Sequence, residues 1–209
     1  MIIVKEVSKY YNSTPVLQNI NLEIPQGSFC SISGESGAGK TTFLKIVAGI
    51  EKPTSGQIIL DNIELRKISY PDLWGKRFSF VFQNYFLLDD KTVKDNLKLA
   101  KRKISEDEML KVLSRVGLQS ELLNQSVYKL SGGEKQRVGI ARAIIKPFDV
   151  LIADEPTGNL DYQNAQAVTK IFKDIQSSNK TIIVVSHDDN FQKVADQKLY
   201  LKDYKLISE

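Results

Sequence analysis

The chain has 209 residues, of which 29 are basic and 25 acidic, leaving a formal net charge of +4. That length supports one domain with a substantial core, and the small, dispersed charge gives no support to a nucleic-acid partner. No apolar run approaches the roughly 20 residues needed to cross a bilayer. The first ten residues, with Lys5, Glu6 and Lys9, lack the apolar core and cleavage site of an export signal, so a cytoplasmic location is expected. The lone Cys30 offers neither a disulfide nor a metal site and is expected to be buried.

Short apolar runs at residues 2–4, 20–24 and 57–60 read as an antiparallel β layer. Residues 29–33 form a strand-length stretch, Phe-Cys-Ser-Ile-Ser, followed by a glycine-rich turn and then by residues 41–50. There Phe43, Leu44, Val47 and Ile50 recur at helical spacing. The turn itself, Gly34, Glu35, Ser36, Gly37, Ala38, Gly39, Lys40 and Thr41, fits the phosphate-loop pattern G-x-x-x-x-G-K-[ST] in the strand-to-helix context its mechanism requires. Glycines let successive backbone N–H groups curl around phosphate oxygens, and the helix turns its positive dipole end to the same anion. Lys40 supplies a charge to the β and γ phosphates, and Thr41 a hydroxyl to Mg²⁺.

Further along, Ser105 and Glu108 are spaced as a capping box opening a helix with Met109, Leu110, Val112, Leu113 and Val116 on its buried face, ended by Gly117. A second helix is expected over residues 133–145, stopped by Pro147. Residues 88–147 are therefore read as a helical subdomain inserted into an α/β core formed by 1–87 and 148–209. Residues 150–153 and 181–185 are continuous apolar runs separated by a helix bearing Val168, Ile171, Phe172 and Ile175, so the core sheet is expected to be mostly parallel. Asp154 and Glu155 follow the first of those strands, at the carboxyl end where open α/β sheets bind ligands. Asp154 is the metal-side carboxylate, and Glu155 the general base or water-positioning group. His187, the only histidine, lies just past the second strand, placed either to meet the γ-phosphate or to cap locally.

Leu130, Ser131, Gly132, Gly133, Glu134, Lys135, Gln136 and Arg137 resemble the signature motif of the ATP-binding cassette family, standing in that family's order between the phosphate loop and Asp154-Glu155. Taken alone, the segment is a capped helix start able to bind an anion. The resemblance covers essentially the whole chain and implies a P-loop NTPase fold. It also implies an ATPase that dimerises head to tail around two Mg-ATP, with Ser131, Gly132, Gly133 and Glu134 closing over the partner's nucleotide. By the same resemblance Gln83 reaches the Mg²⁺ and attacking water, and Asn159-Leu160-Asp161 forms a loop at the dimer interface, although a turn and a helix cap fit those residues equally. Tyr11 stacks on adenine beside Val16, with Tyr10 the alternative, and Thr42 joins the ATP-binding residues of the loop. The run from Asp154 to Asp161 is most similar to the branch of macrolide exporters, lipoprotein-release, cell-division and antimicrobial-peptide ATPases. That branch implies a separate membrane permease as partner, a homodimer as the simpler pairing, and a cassette attached to the cytoplasmic face of the membrane through the permease. The apolar residues Phe86, Leu87 and Leu88 after Gln83 are the expected permease groove. A soluble regulatory ATPase is the competing reading. A kinase or GTP switch built on the phosphate loop alone leaves residues 130–137 unexplained.

Overall fold

The computed structural model describes residues 1–158 and 160–208. In chain order its main elements are β1 (Ile2–Tyr11), β2 (Thr14–Ile24), β3 (Phe29–Gly34), α1 (Lys40–Val47), β4 (Ser55–Leu60), β5 (Ile63–Glu64), α2 (Tyr70–Asp72) and β6 (Phe78–Val81). There follow α3 (Val93–Ala100), α4 (Glu106–Arg115), α5 (Gly132–Ile144), β7 (Val150–Asp154), α6 (Tyr162–Gln176), β8 (Thr181–Val185), α7 (Asp189–Val194), β9 (Gln197–Lys202) and β10 (Lys205–Ser208). A six-stranded sheet runs in the order β10-β9-β3-β8-β7-β6, and every pairing in it except β10 with β9 is parallel. A four-stranded antiparallel layer, β2-β1-β4-β5, stands beside it. Its first hairpin turns at Asn12 and Ser13, both at positive φ, as a tight two-residue connection between twisted strands demands.

The continuous apolar runs at 150–153 and 181–185 have two destinations. Leu151, Ala153, Ile182 and Val184 enter one core with residues of α3, α4, α5 and α6, whereas Val150, Ile152, Ile183 and Val185 enter a second core with α1 and the antiparallel layer. Alternation of side chains across a strand thus covers both sheet faces, which is why no polar residue interrupts either run. Helix α1 sits between the two sheets, its Phe43, Leu44, Ile46 and Val47 buried. Cys30 is buried as expected, and desolvation pushes its thiol up to about 12.

Several elements differ from the sequence expectation. Helix α1 stops at Val47, before Ile50, where Gly49 adopts a φ of 71° and ends the helical path. Helix α3 is not evident from periodicity because its eight residues bury only Val93, Asn96 and Leu97, too short a repeat to stand out. It is set by a capping box of Thr92 with Asp95 and by the buried Asn96. The strands β9 and β10 carry Lys198, Lys202 and Lys205 and lack an apolar run. The expected box at Ser105 and Glu108 is formed, and the helix expected at 133–145 occupies 132–144. No helix among the described residues is long and apolar enough to cross a membrane.

Phe172 is fully buried, edge-on to Phe191 with ring centroids 5.5 Å apart. Phe172→Ala is expected to cost about 3–5 kcal/mol of stability. Urea denaturation would show this as a lower midpoint with little change in slope.

Candidate nucleotide site

The phosphate loop joins β3 to α1. Gly34 has a φ of 148° and its Cα lies against the backbone of Leu201, where an added Cβ would come within 2.6 Å of the carbonyl oxygen. Gly39, the N-cap of α1, has a φ of 103° and leaves no room beside Val16. Both positions therefore require glycine. Helices α2, α3, α4, α5, α6 and α7 all begin with a Ser, Thr or Asp side chain accepting from a backbone N–H, whereas α1 begins without any side-chain cap. Its first amides and its dipole are directed at the loop, a ready arrangement for a phosphate. The Lys40 ammonium donates to the carbonyls of Gly34 and Glu35 at 2.7 and 2.8 Å, holding the loop closed on itself. Burial lowers its pKa, opposed by the carboxylates of Glu155 and Asp154. Glu35, Ser36 and Gly37 form the exposed rim, Ala38 is half-buried, and Thr42 lies on the first turn of α1.

Two acids come from the end of β7. The Thr41 hydroxyl meets Asp154 Oδ2 at 2.9 Å and Oδ1 at 3.2 Å. Desolvation raises the Asp154 pKa, and the Thr41 hydrogen bond and nearby lysines oppose it. Glu155 turns the chain with a φ of 45°, a conformation that costs a non-glycine residue on the order of 1–3 kcal/mol. Its N–H donates to the Val185 carbonyl at 2.9 Å. Its carboxylate accepts from the His187 N–H at 3.3 Å and lies 3.3 Å from His187 Nε2. The strained backbone thus sends the carboxylate across to the end of β8. Gln83, after β6, is exposed, and its Nε2 lies 3.5 Å from where a Gly158 Cβ would stand. Gln83 therefore reaches the turn that carries Glu155.

Tyr11, rather than Tyr10, is the aromatic residue with a built environment. Its hydroxyl donates to Glu51, which also pairs with Lys9 at 2.8 Å, and the Lys9 ammonium covers one ring face 4.9 Å from the centroid. The Glu51 hydrogen bond raises the Tyr11 pKa. Val16 is half-buried against Gly39, at the base of the loop.

Ser131 opens α5 in a reciprocal box. The Glu134 N–H donates to Ser131 Oγ at 3.3 Å, while the Ser131 N–H and hydroxyl donate to the Glu134 carboxylate at 2.8 Å. Backbone and hydroxyl donation from Ser131 keep the Glu134 carboxyl below its usual range. Gly132 and Gly133 present the first turn, with Gly132 beside the Tyr85 hydroxyl. Among the described residues no hydrogen bond joins this turn to residues 34–42. Asp161 caps α6 by accepting from the Asn164 N–H at 2.9 Å. Asn159 lies outside the described residues.

A profile of the ABC transporter family matches residues 17–158. The chain belongs to the ABC transporter family. It is 34% identical to the uncharacterized ABC transporter ATP-binding protein YvrO of Bacillus subtilis over 99% of this chain and 96% of that one. It is 35% identical to the macrolide export ATP-binding/permease protein MacB of Haemophilus ducreyi, over all of this chain but 32% of that longer protein. The dimeric structure of the cassette MJ0796 of Methanocaldococcus jannaschii in a post-hydrolysis state with ADP and Pi superposes with a TM-score of 0.89 at 32% identity, covering 100% of this chain and 98% of that one. This cassette is accordingly the ATP-binding subunit of an ABC transporter and an ATPase.

The cassette also contains residues that sequence reading passes over. Arg142, in the otherwise buried stretch Ile140 to Ile144, donates from Nη1 to the Phe86 carbonyl at 2.5 Å and from Nη2 to the Tyr85 carbonyl at 2.7 Å. Asn96, fully buried, accepts from the Leu88 N–H at 2.8 Å and donates to the Leu88 and Thr92 carbonyls at 3.1 and 3.0 Å. An arginine inside an apolar helical run was the available signal; a single Asn in a polar helix gave none. The segment after Gln83 is thereby hydrogen-bonded from α5 and α3, while Phe86 also packs edge-on against Phe82, which stacks on Phe80 of β6. Arg142→Ala is expected to speed amide exchange across residues 85–88 by at least about 10-fold while leaving the amides of β3, β7 and β8 unchanged, as hydrogen-exchange mass spectrometry would show.

Proposed function

We propose that two copies of this cassette bind head to tail around two ATP molecules and drive a separate membrane permease. The observation that supports the pairing is that the signature turn opens α5 with capped, exposed backbone and makes no hydrogen bond, among the described residues, to the phosphate loop of its own chain. MJ0796, a relative of full-length similarity, is described as dimeric. In this reading Lys40 and the amides of α1 bind the phosphates, Tyr11 offers its uncovered ring face to adenine, and Val16 packs nearby. Ser131, Gly132, Gly133 and Glu134 complete the site of the partner, and Asp161 stands at the interface. Glu155 orients the attacking water and takes its proton, while His187, alongside it, meets the γ-phosphate.

The hydroxyl of Thr41, the carboxylate of Asp154 and the amide of Gln83 are hard oxygen donors of the kind Mg²⁺ accepts. Among the described residues no group of three or more His, Cys, Asp or Glu side chains gathers around a point, so the nucleotide's own phosphates are left to complete the coordination. When bound, the ion neutralises charge developing on the phosphates. Residues 88–147 act as the helical unit that carries the signature turn, inserted into the α/β core of 1–87 and 148–209.

The permease contact is assigned to Phe86 and Leu88, exposed at 64% and 43%, with Leu87 half-buried behind them. Likeness to MacB supports an exporter or force-transmitting system, with the cassette held at the cytoplasmic face of the membrane by its permease.

Lys40→Ala should weaken ATP binding by about 1.5–3 kcal/mol, or roughly 10- to 100-fold, in a fluorescent-nucleotide titration. Glu155→Gln should spare binding, lower turnover at least about 100-fold and accumulate an ATP-bound dimer on sedimentation. Unimpaired turnover in that variant would refute the role of Glu155. Phe86→Asp should abolish transport in reconstituted vesicles while soluble ATPase activity stays within about twofold; normal transport would remove the proposed contact.

A further inference from the structure

The opening turns of α5 and α6 are linked by one amide. Arg137 Nη1 donates to Asn164 Oδ1 at 2.6 Å, and Asn164 Nδ2 donates to Asp161 Oδ2 at 2.7 Å. The Asn164 backbone N–H reaches the other oxygen of the same carboxylate at 2.9 Å. The amide lies flat against the Cα of Gly133: a Cβ there would stand 2.6 Å from Asn164 Oδ1, 2.7 Å from Cγ and 3.1 Å from Nδ2. Arg137 Nε is buried without a partner, so Asn164 supplies the hydrogen bond that holds this guanidinium toward α6. The side chain's donor and acceptor are thus both committed, in directions only an amide of this length can serve at once.

We infer that Asn164 is a positioning residue that fastens the signature turn of α5 to the loop and helix start at Asp161, so that both meet the partner subunit as one rigid surface. The inference rests on the head-to-tail reading above. In that arrangement the signature turn and the Asp161 loop address the same partner, and an independent hinge between them would let one engage without the other. Asp or Leu at position 164 would keep the volume. Leucine breaks both contacts. Aspartate keeps the acceptor for Arg137 but sets two carboxylates against each other.

The test is made in the full chain carrying Glu155→Gln, with dimerisation in Mg-ATP followed by sedimentation velocity, and with ATP binding followed by fluorescent-nucleotide titration at protein concentrations low enough that the chain stays monomeric, so that the Kd is not linked to pairing. Turnover is measured in the otherwise wild-type chain. Asn164→Leu and Asn164→Asp should each weaken ATP-driven dimerisation and lower kcat by about 10-fold, with the nucleotide Kd unchanged within twofold. Arg137→Gln should do the same, and the double variant Arg137→Gln with Asn164→Leu should lose no more than the worse single variant, because one link is broken either way. Multiplying losses, or a weakened nucleotide Kd, would overturn the inference. Dimerisation and kcat at wild-type levels in both Asn164 variants would overturn it while leaving the paired reading intact. Failure of the Glu155→Gln chain itself to dimerise would overturn the paired reading and this inference with it. Should Asn164→Leu misfold, Asn164→Asp and Asn164→Ser carry the same comparison.

Discussion

The registration of β3, β8 and β7 is the constraint on which the site depends. Ile32 lies opposite Val185, and Val185 opposite Asp154. Three chain segments that are distant in sequence therefore leave the sheet at one level and on one edge. Within two residues of that level, the phosphate loop, Glu155 and His187 emerge at the same end of the sheet. A slip of one residue in any of these pairings would turn the apolar side chains of that strand to the wrong core and carry its catalytic group away from the edge. Close packing within each core, rather than any polar and apolar alternation along the strands, holds that register, and the register places the site residues.

Around that edge the local rules of the chain are followed except where ligand or water is to be handled. Most helices start with a side-chain cap, while α1 does not. Glu155 stands in the left-handed region at the junction of acid and histidine, although a non-glycine residue there is under strain. Lys40 is nearly buried, with its ammonium returned to loop carbonyls. These three departures meet at the phosphate end of the molecule, although left-handed non-glycine residues also stand elsewhere, Glu6, Phe86 and Tyr204 among them.

Much of this was legible beforehand because it is written in short-range patterns. The strand, glycine turn and helix around Lys40 are contiguous, and the box at Ser105 and Glu108 follows from a three-residue spacing. Uninterrupted runs at 150–153 and 181–185 reveal strands covered on both faces. What escaped was set by long-range or compensated interactions. Helix α3 depends on Asn96 bonding across to Leu88, and β9 is held in place by pairing with β3 despite its lysines. The clamp from Arg142 and the bridge at Asn164 join residues 56 and 27 positions apart. No periodicity reports such contacts. Position favours Tyr11 over Tyr10, and the Glu51 and Lys9 environment around Tyr11 is a long-range contact that position does not reveal.

The uncapped start of α1 has a thermodynamic consequence. A helix that leaves its first amides without side-chain partners can have part of its satisfaction supplied from outside the chain, and in the proposed site the supplier is the molecule the protein consumes. Binding to the folded state alone adds RT ln(1 + [L]/Kd), about 2.7 kcal/mol at a hundredfold excess over Kd. In the proposed site, the resistance of this domain to unfolding and to proteases would in that way depend on how much nucleotide its surroundings hold: an empty cassette would be not only an idle motor but a more perishable one.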